Sequence, residues 1–112
     1  MSKLKTTGKP RQFDTGAQRD NADNKLRMSL VPHAALNGVM LRYIQGADTY
    51  GENNWKKGMK HSVLYDSTMR HLMQDFTGDD SEDHLGAALW NIMGMIWNRD
   101  HKPEMDDRKE YE

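Results

Sequence analysis

Apolar residues recur with helical spacing in three places along the chain. Leu36, Val39, Met40, Tyr43, Ile44 and Ala47 fall at i, i+3, i+4, i+7, i+8 and i+11, one face of an α-helix. Pro32 suits the first position of that helix, where a missing N–H has no intrahelical partner to lose, so the pattern predicts a helix over 32–48. Tyr65, Met69, Leu72 and Phe76 form a second stripe, over 62–76, with Gly78 placed to end it in the left-handed region. Leu85, Ala88, Leu89, Ile92 and Ile96 form a third, over 82–98. Between the first two, Tyr50-Gly51-Glu52-Asn53-Asn54-Trp55-Lys56-Lys57-Gly58 breaks the period with turn-forming residues. No alternating strand pattern competes, and no repeat is visible. The expected fold class is all-α, a small helical bundle with an antiparallel helix pair, completed by oligomerisation and carrying flexible charged termini.

The ends of the chain lack these stripes. Residues 1–27 hold seven basic and three acidic side chains with almost no apolar periodicity. The expected organisation is a flexible basic arm over 1–24, a helical domain over 25–100 and a charged tail over 101–112, with Pro103 as a breaker. Three helices of this length enclose a thin core, so pairing with a second copy into a bundle of four or more helices would bury the remaining apolar surface. Trp90, Met93 and Trp97 flank the third stripe and suit either such an interface or ordinary core filling.

Composition narrows the chemistry. A length of 112 residues holds one domain at most. A net charge of −1 gives no general pull toward nucleic acid or a membrane surface, so neither is expected as a partner. The chain has no cysteine, which removes disulfides and thiolate metal sites. No apolar run approaches the roughly 20 residues of a membrane helix, and the basic N-terminus lacks the apolar core of a signal peptide. A cytoplasmic protein is expected. There is no P-loop, dinucleotide fingerprint, zincin motif or serine nucleophile motif.

The densest candidate chemistry is Gly78-Asp79-Asp80-Ser81-Glu82-Asp83-His84-Leu85. Ser81 or Asp80 can cap a helix here, which would put Glu82 and Asp83 in its first turn where the helix dipole favours acids. Asp80 with Asp83 has the spacing of a capping box. Capping alone explains acids, but the angular positions add more. At ~100° per residue, and with each apolar stripe facing the partner helix, His71 lies about 120° to one side of its stripe. His84, Asn91 and Asn98 share nearly that offset on the third helix. Equal offsets on two antiparallel helices emerge on one side, so these groups are expected to line one open wall, with Asp79, Asp80 and Glu82 at its end and the small Gly86 and Ala87 beside it. Oxygen and imidazole donors around one groove suit Mg²⁺ or Mn²⁺. The expected metal set is Asp79, Asp80, Glu82, Asp83 and His84, with His84 partly exposed.

Three segments carry a family resemblance: Lys25-Leu26-Arg27-Met28-Ser29-Leu30-Val31-Pro32; then Gly46-Ala47-Asp48-Thr49-Tyr50-Gly51-Glu52-Asn53-Asn54-Trp55-Lys56-Lys57-Gly58; then Arg70-His71 with Gly78 through Asn91. In these the chain resembles the phage family described as the N-terminal domain of dATP/dGTP diphosphohydrolases, a MazG-related group. The resemblance implies an all-α oligomer, a divalent metal, and hydrolysis of a purine deoxynucleoside triphosphate to monophosphate and pyrophosphate in the cytoplasm of an infected host cell. On that reading Glu82, His84 and His71 are the catalytic candidates. Tyr50, Asn54, Trp55, Lys56, Arg70 and Asn91 are the nucleotide-binding candidates, with Lys57 a further phosphate partner. MazG-type enzymes carry an ExxE…ExxD pattern on two helices, where this chain offers Asp80, Glu82, Asp83 and His84. Ala87 stands where some relatives have a second histidine, and Thr49 where the family prefers a basic residue. The missing carboxylates motivate one alternative, a nucleotide-binding protein without turnover, sequestering a nucleotide in counter-defence. The charged tails motivate another, a small accessory or virion-associated interaction protein.

Overall fold

The computed structural model describes residues 8–112. They form two compact units, divided between Pro32 and His33, so the segment 25–32 groups with the first.

The first unit holds a short hairpin within the segment expected as a flexible basic arm, of which residues 1–7 lie outside the described residues. Strand β1 (Arg11–Gln12) pairs antiparallel with β2 (Gln18–Arg19). Gly16, at φ +89°, turns the chain between them, and Phe13 N–H donates to Ala17 O at 2.9 Å. Two-residue strands built from Arg and Gln leave no alternating apolar signal, so periodicity could not announce them. Asn21 is buried, and its side-chain oxygen accepts from Asp23 N–H at 3.2 Å. A 3-10 turn, Met28–Leu30, follows.

The second unit is built on three helices: α1 (His33–Tyr50), α2 (His61–Phe76) and α3 (His84–His101). They fall where the stripes predict, within a few residues at each end. α2 and α3 pack as the antiparallel pair, and α3 also packs against α1. Gly78 ends α2 at φ +88°, and the N–H groups of Thr77, Gly78 and Asp79 donate to Met73 O, Asp75 O and Gln74 O. Orphan carbonyls of the last turn are thereby satisfied. Among the described residues no helix is long and apolar enough to cross a membrane.

The packing within the pair differs from the expectation in one respect that matters for the site. Val39, Leu64, Ala87 and Ala88 form the buried apolar core, joined by Thr68, His84, Asn91 and Asn98. Asn91 donates to Ser67 Oγ at 2.9 Å, and Asn98 donates to Met59 O at 2.8 Å. The stripe residues Tyr65, Met69, Leu72, Phe76, Leu85, Ile92 and Ile96 are instead exposed. Thus the polar offsets meet in the seam between helices rather than on an open wall. Small residues account for the change: Ala87 and Ala88 are buried on α3, and Gly94 leaves room for Leu64, whose Cδ1 would lie 3.4 Å from a Cβ there. Asn91 and Asn98 thus each find a partner, as burial demands.

The last residues, expected as a tail, make two 3-10 turns, Pro103–Met105 and Arg108–Tyr111. Asp107 is buried and accepts from Ser62 N–H at 2.9 Å. It thereby serves an open donor at the start of α2, where Lys60 offers no side-chain cap.

Candidate functional site

The site is built around the first residue of α3. Its cap is Asp83, not Ser81 or Asp80: Oδ1 accepts from Gly86 N–H at 3.0 Å. α3 begins at His84, so Asp83 stands one residue before the helix rather than in its first turn. A Cβ at Gly86 would collide with the Asp83 carboxylate, and one at Gly38 of α1 would lie 2.8 Å from Oδ2. Asp83 therefore sits in a cradle left by two glycines where α1 approaches α3. Upstream, Asp79 accepts from Ser81 N–H at 2.9 Å, and this bond holds its carboxyl below the usual range.

His84 is not partly exposed. It is buried, with 3% of its surface accessible. Its Nδ1 faces Nδ1 of His71, from α2, at 2.8 Å. Only one proton fits between those nitrogens, so one imidazole donates and the other accepts. His84 Nε2 is buried without a hydrogen-bond partner, and its nearest acid, Asp79 Oδ2, lies 3.5 Å away. That carboxylate favours a proton on Nε2, which leaves the Nδ1 lone pair of His84 directed at His71. Burial lowers the His71 pKa, against Glu82, which raises it. Glu82 Oε1 lies 3.9 Å from His71 Nδ1 and accepts from Arg42 Nη2 at 2.6 Å. That bond holds the Glu82 carboxyl below its usual range. The same Arg42 nitrogen donates to Asp83 O at 3.0 Å.

These positions sort the expected metal set. His71, Glu82 and His84 bring one ligand atom each within 4.8 Å of one another. Asp83 is occupied as the cap, Asp80 is exposed, and Asp79 lies at the far nitrogen of His84. The trio fits a divalent ion on two counts. Two ligand atoms about 2.1 Å from one octahedral ion, at right angles, stand about 3 Å apart, close to the 2.8 Å between the imidazole nitrogens. A carboxylate on the outer nitrogen of a ligating histidine is also the usual means of orienting it. Of the two expected ions, Mn²⁺ accepts imidazole nitrogen more readily than Mg²⁺, which prefers oxygen throughout.

Beside this cluster lies a cleft of about 520 Å³, where α1 ends and the next loop folds back. Gly51 at φ +93° and Asn53 at φ +63° make the reversal, and the 3-10 turn Asn54–Lys57 follows. Tyr50, Asn54 and Trp55 line the cleft, as do Arg42, Tyr43 and Trp90. Tyr43 meets Trp55 edge-on at 5.9 Å and Trp90 at 5.8 Å. Burial raises the pKa of the Tyr43 hydroxyl. Lys56 lies over the Trp55 ring at 5.6 Å, and Lys57 is exposed. Arg70 and Asn91 fall outside this cleft, along a second depression that Trp90 also lines. Arg42 and Tyr43 went unnoticed as site residues in the sequence. Arg42 stands next to a stripe on a helix, and its partner Glu82 is forty residues away, so no local spacing links them.

Two comparisons with known proteins bear on this arrangement. A family model described as dATP/dGTP diphosphohydrolase, N-terminal, matches residues 15–108. Over 69 residues the chain is 30% identical to a Salmonella phage PMBT28 protein named dATP/dGTP diphosphohydrolase, an alignment covering 57% of this chain and 23% of that protein. The chain thus spans about a quarter of the length of that curated relative. No solved structure matches.

Proposed function

This chain belongs to the dATP/dGTP diphosphohydrolase N-terminal family, and on that premise we propose that it binds a purine deoxynucleoside triphosphate and, with Mn²⁺, hydrolyses it to monophosphate and pyrophosphate. The observation that carries the reading is the juxtaposition, through Arg42, of the His71–Glu82–His84 cluster with an aromatic cleft. Trp55 and Tyr43 offer ring faces and edges to a purine, and Asn54 offers an amide for its polar edge. Arg42 and Lys56 supply positive charge for phosphate. His71, His84 and Glu82 would hold the ion, which when bound polarises a phosphate oxygen and lowers the pKa of water. Asp79, 3.5 Å from Nε2, would orient His84 from its outer nitrogen. The setting proposed is the cytoplasm of a phage-infected cell, in a MazG-like oligomer whose second copy covers the exposed stripes of α2 and α3.

A second reading, binding without turnover, has its own support. Of the four acids at the start of α3 only Glu82 belongs to the candidate metal trio, and Arg42 already neutralises it. One assay separates the two. The four dNTPs are incubated with Mn²⁺ or Mg²⁺, and the products are resolved by chromatography. The enzyme reading expects dGMP or dAMP with pyrophosphate, more with Mn²⁺ than with Mg²⁺. Saturable purine nucleotide binding with no product would leave the binding reading.

A further inference from the structure

Arg42 reaches both the histidine cluster and the cleft. Its Nη2 donates to Glu82 Oε1 at 2.6 Å, the oxygen that lies 3.9 Å from His71 Nδ1. Arg42 also lines the cleft, together with Tyr43 and Trp90. We propose that Arg42 is an internal stand-in for the metal: it holds Glu82 until a divalent cation takes that oxygen, and its released guanidinium then binds the phosphate of a nucleotide in the cleft. The proposal rests on the metal site proposed above.

The electrostatics support the exchange. Arg42 donates to Asp83 O, at the N-terminal end of α3. The helix dipole there is positive and disfavours a cation. Glu82 is what makes the position favourable. A divalent ion on Glu82 would remove that partner and repel the guanidinium as a like charge. Arg42 already lines the cleft, and its planar guanidinium suits a phosphate in bidentate contact. Gly46, one turn further along α1, has nothing within 4 Å of its Cβ direction, which leaves open space on that wall. Metal and phosphate would then each favour the other's binding, and by linkage the effect is reciprocal.

The test uses the full chain, with Mn²⁺ binding followed by calorimetry and ligand binding by the fluorescence of the cleft tryptophans. In the wild type, Mn²⁺ should tighten dGMP binding about tenfold and leave deoxyguanosine, which has no phosphate, unaffected. Arg42→Ala should bind Mn²⁺ several-fold more tightly than the wild type and lose the Mn²⁺ effect on dGMP. Arg42→Lys, which keeps a cation able to reach Asp83 O, covers the case in which the alanine variant does not fold. It should keep the competition with Mn²⁺ but bind dGMP more weakly. Wild-type Mn²⁺ binding with an equal or weaker affinity in folded Arg42→Ala overturns the proposal while the metal site survives. A wild type that binds no Mn²⁺ overturns both. Equal tightening of dGMP and deoxyguanosine by Mn²⁺ also overturns it, because the coupling would not run through phosphate.

Discussion

At the scale of single residues, His84 couples the site to the fold. A partly exposed ligand would be removable at little cost, but His84 is buried and holds His71 across the seam. His84→Ala removes a buried side chain and leaves the partly buried Nδ1 of His71 without its partner, which costs about 1–3 kcal/mol. Urea denaturation should show that loss together with the loss of Mn²⁺ binding, and unchanged stability would mean that the seam tolerates an open histidine. His71 adds a pH dependence. Burial places its folded pKa below the ordinary 6.5. The unfolded chain therefore takes up the proton first as pH falls, and the stability from the neutral imidazole, complete above about 6.5, is lost on descent toward the folded value. Denaturation midpoints should decline on acidification below that pH. His71→Gln should flatten the decline, and a variant with the same slope as wild type would assign it to other groups.

At the scale of the element, α3 is set by one cap and two glycines. Glycine to alanine inside a helix normally stabilises by about 0.5–1 kcal/mol. Gly46→Ala in α1 should follow that rule, because nothing lies within 4 Å of the added carbon. Gly86→Ala should do the reverse, because the new methyl meets the Asp83 carboxylate that caps α3, and a lost aspartate cap costs about 1 kcal/mol. Thermal melts of the two variants should move in opposite directions. Stabilisation by Gly86→Ala would show that Asp83 caps equally well from another rotamer. Asp107 plays a comparable part for α2 from the far end of the chain, so the charged terminal segment belongs to the fold it follows.

At the scale of the whole molecule, the exposed stripes ask for a partner. Phe76 is 92% exposed, and Met69, Leu72, Ile92 and Ile96 are also uncovered, a distribution that favours burial against another apolar face. Light scattering at micromolar concentration should give at least twice the mass of one chain. Met69→Asp combined with Ile92→Asp should reduce it to one chain while circular dichroism keeps its helical signal, since neither side chain is in the buried core. A wild type that runs as a single chain would refute the assembly.

Three helices, their order and the antiparallel pair follow from the sequence alone, because a 3.6-residue period, a closing glycine and a short connection are local properties. The meeting of His71 with His84 was legible for a similar reason, since angular offsets on two adjacent helices can be counted. Which face of each helix turned inward was decided only by tertiary structure. Ala87, Ala88 and Gly94 allow a close seam that admits hydrogen-bonded polar groups, and the larger apolar residues are left outside. The assignment of Asp83 to the cap, the link from Arg42 to Glu82 and the cleft beside it were likewise beyond the linear pattern. Each depends on where α1 lies against α3, and that placement follows from packing between residues some forty positions apart.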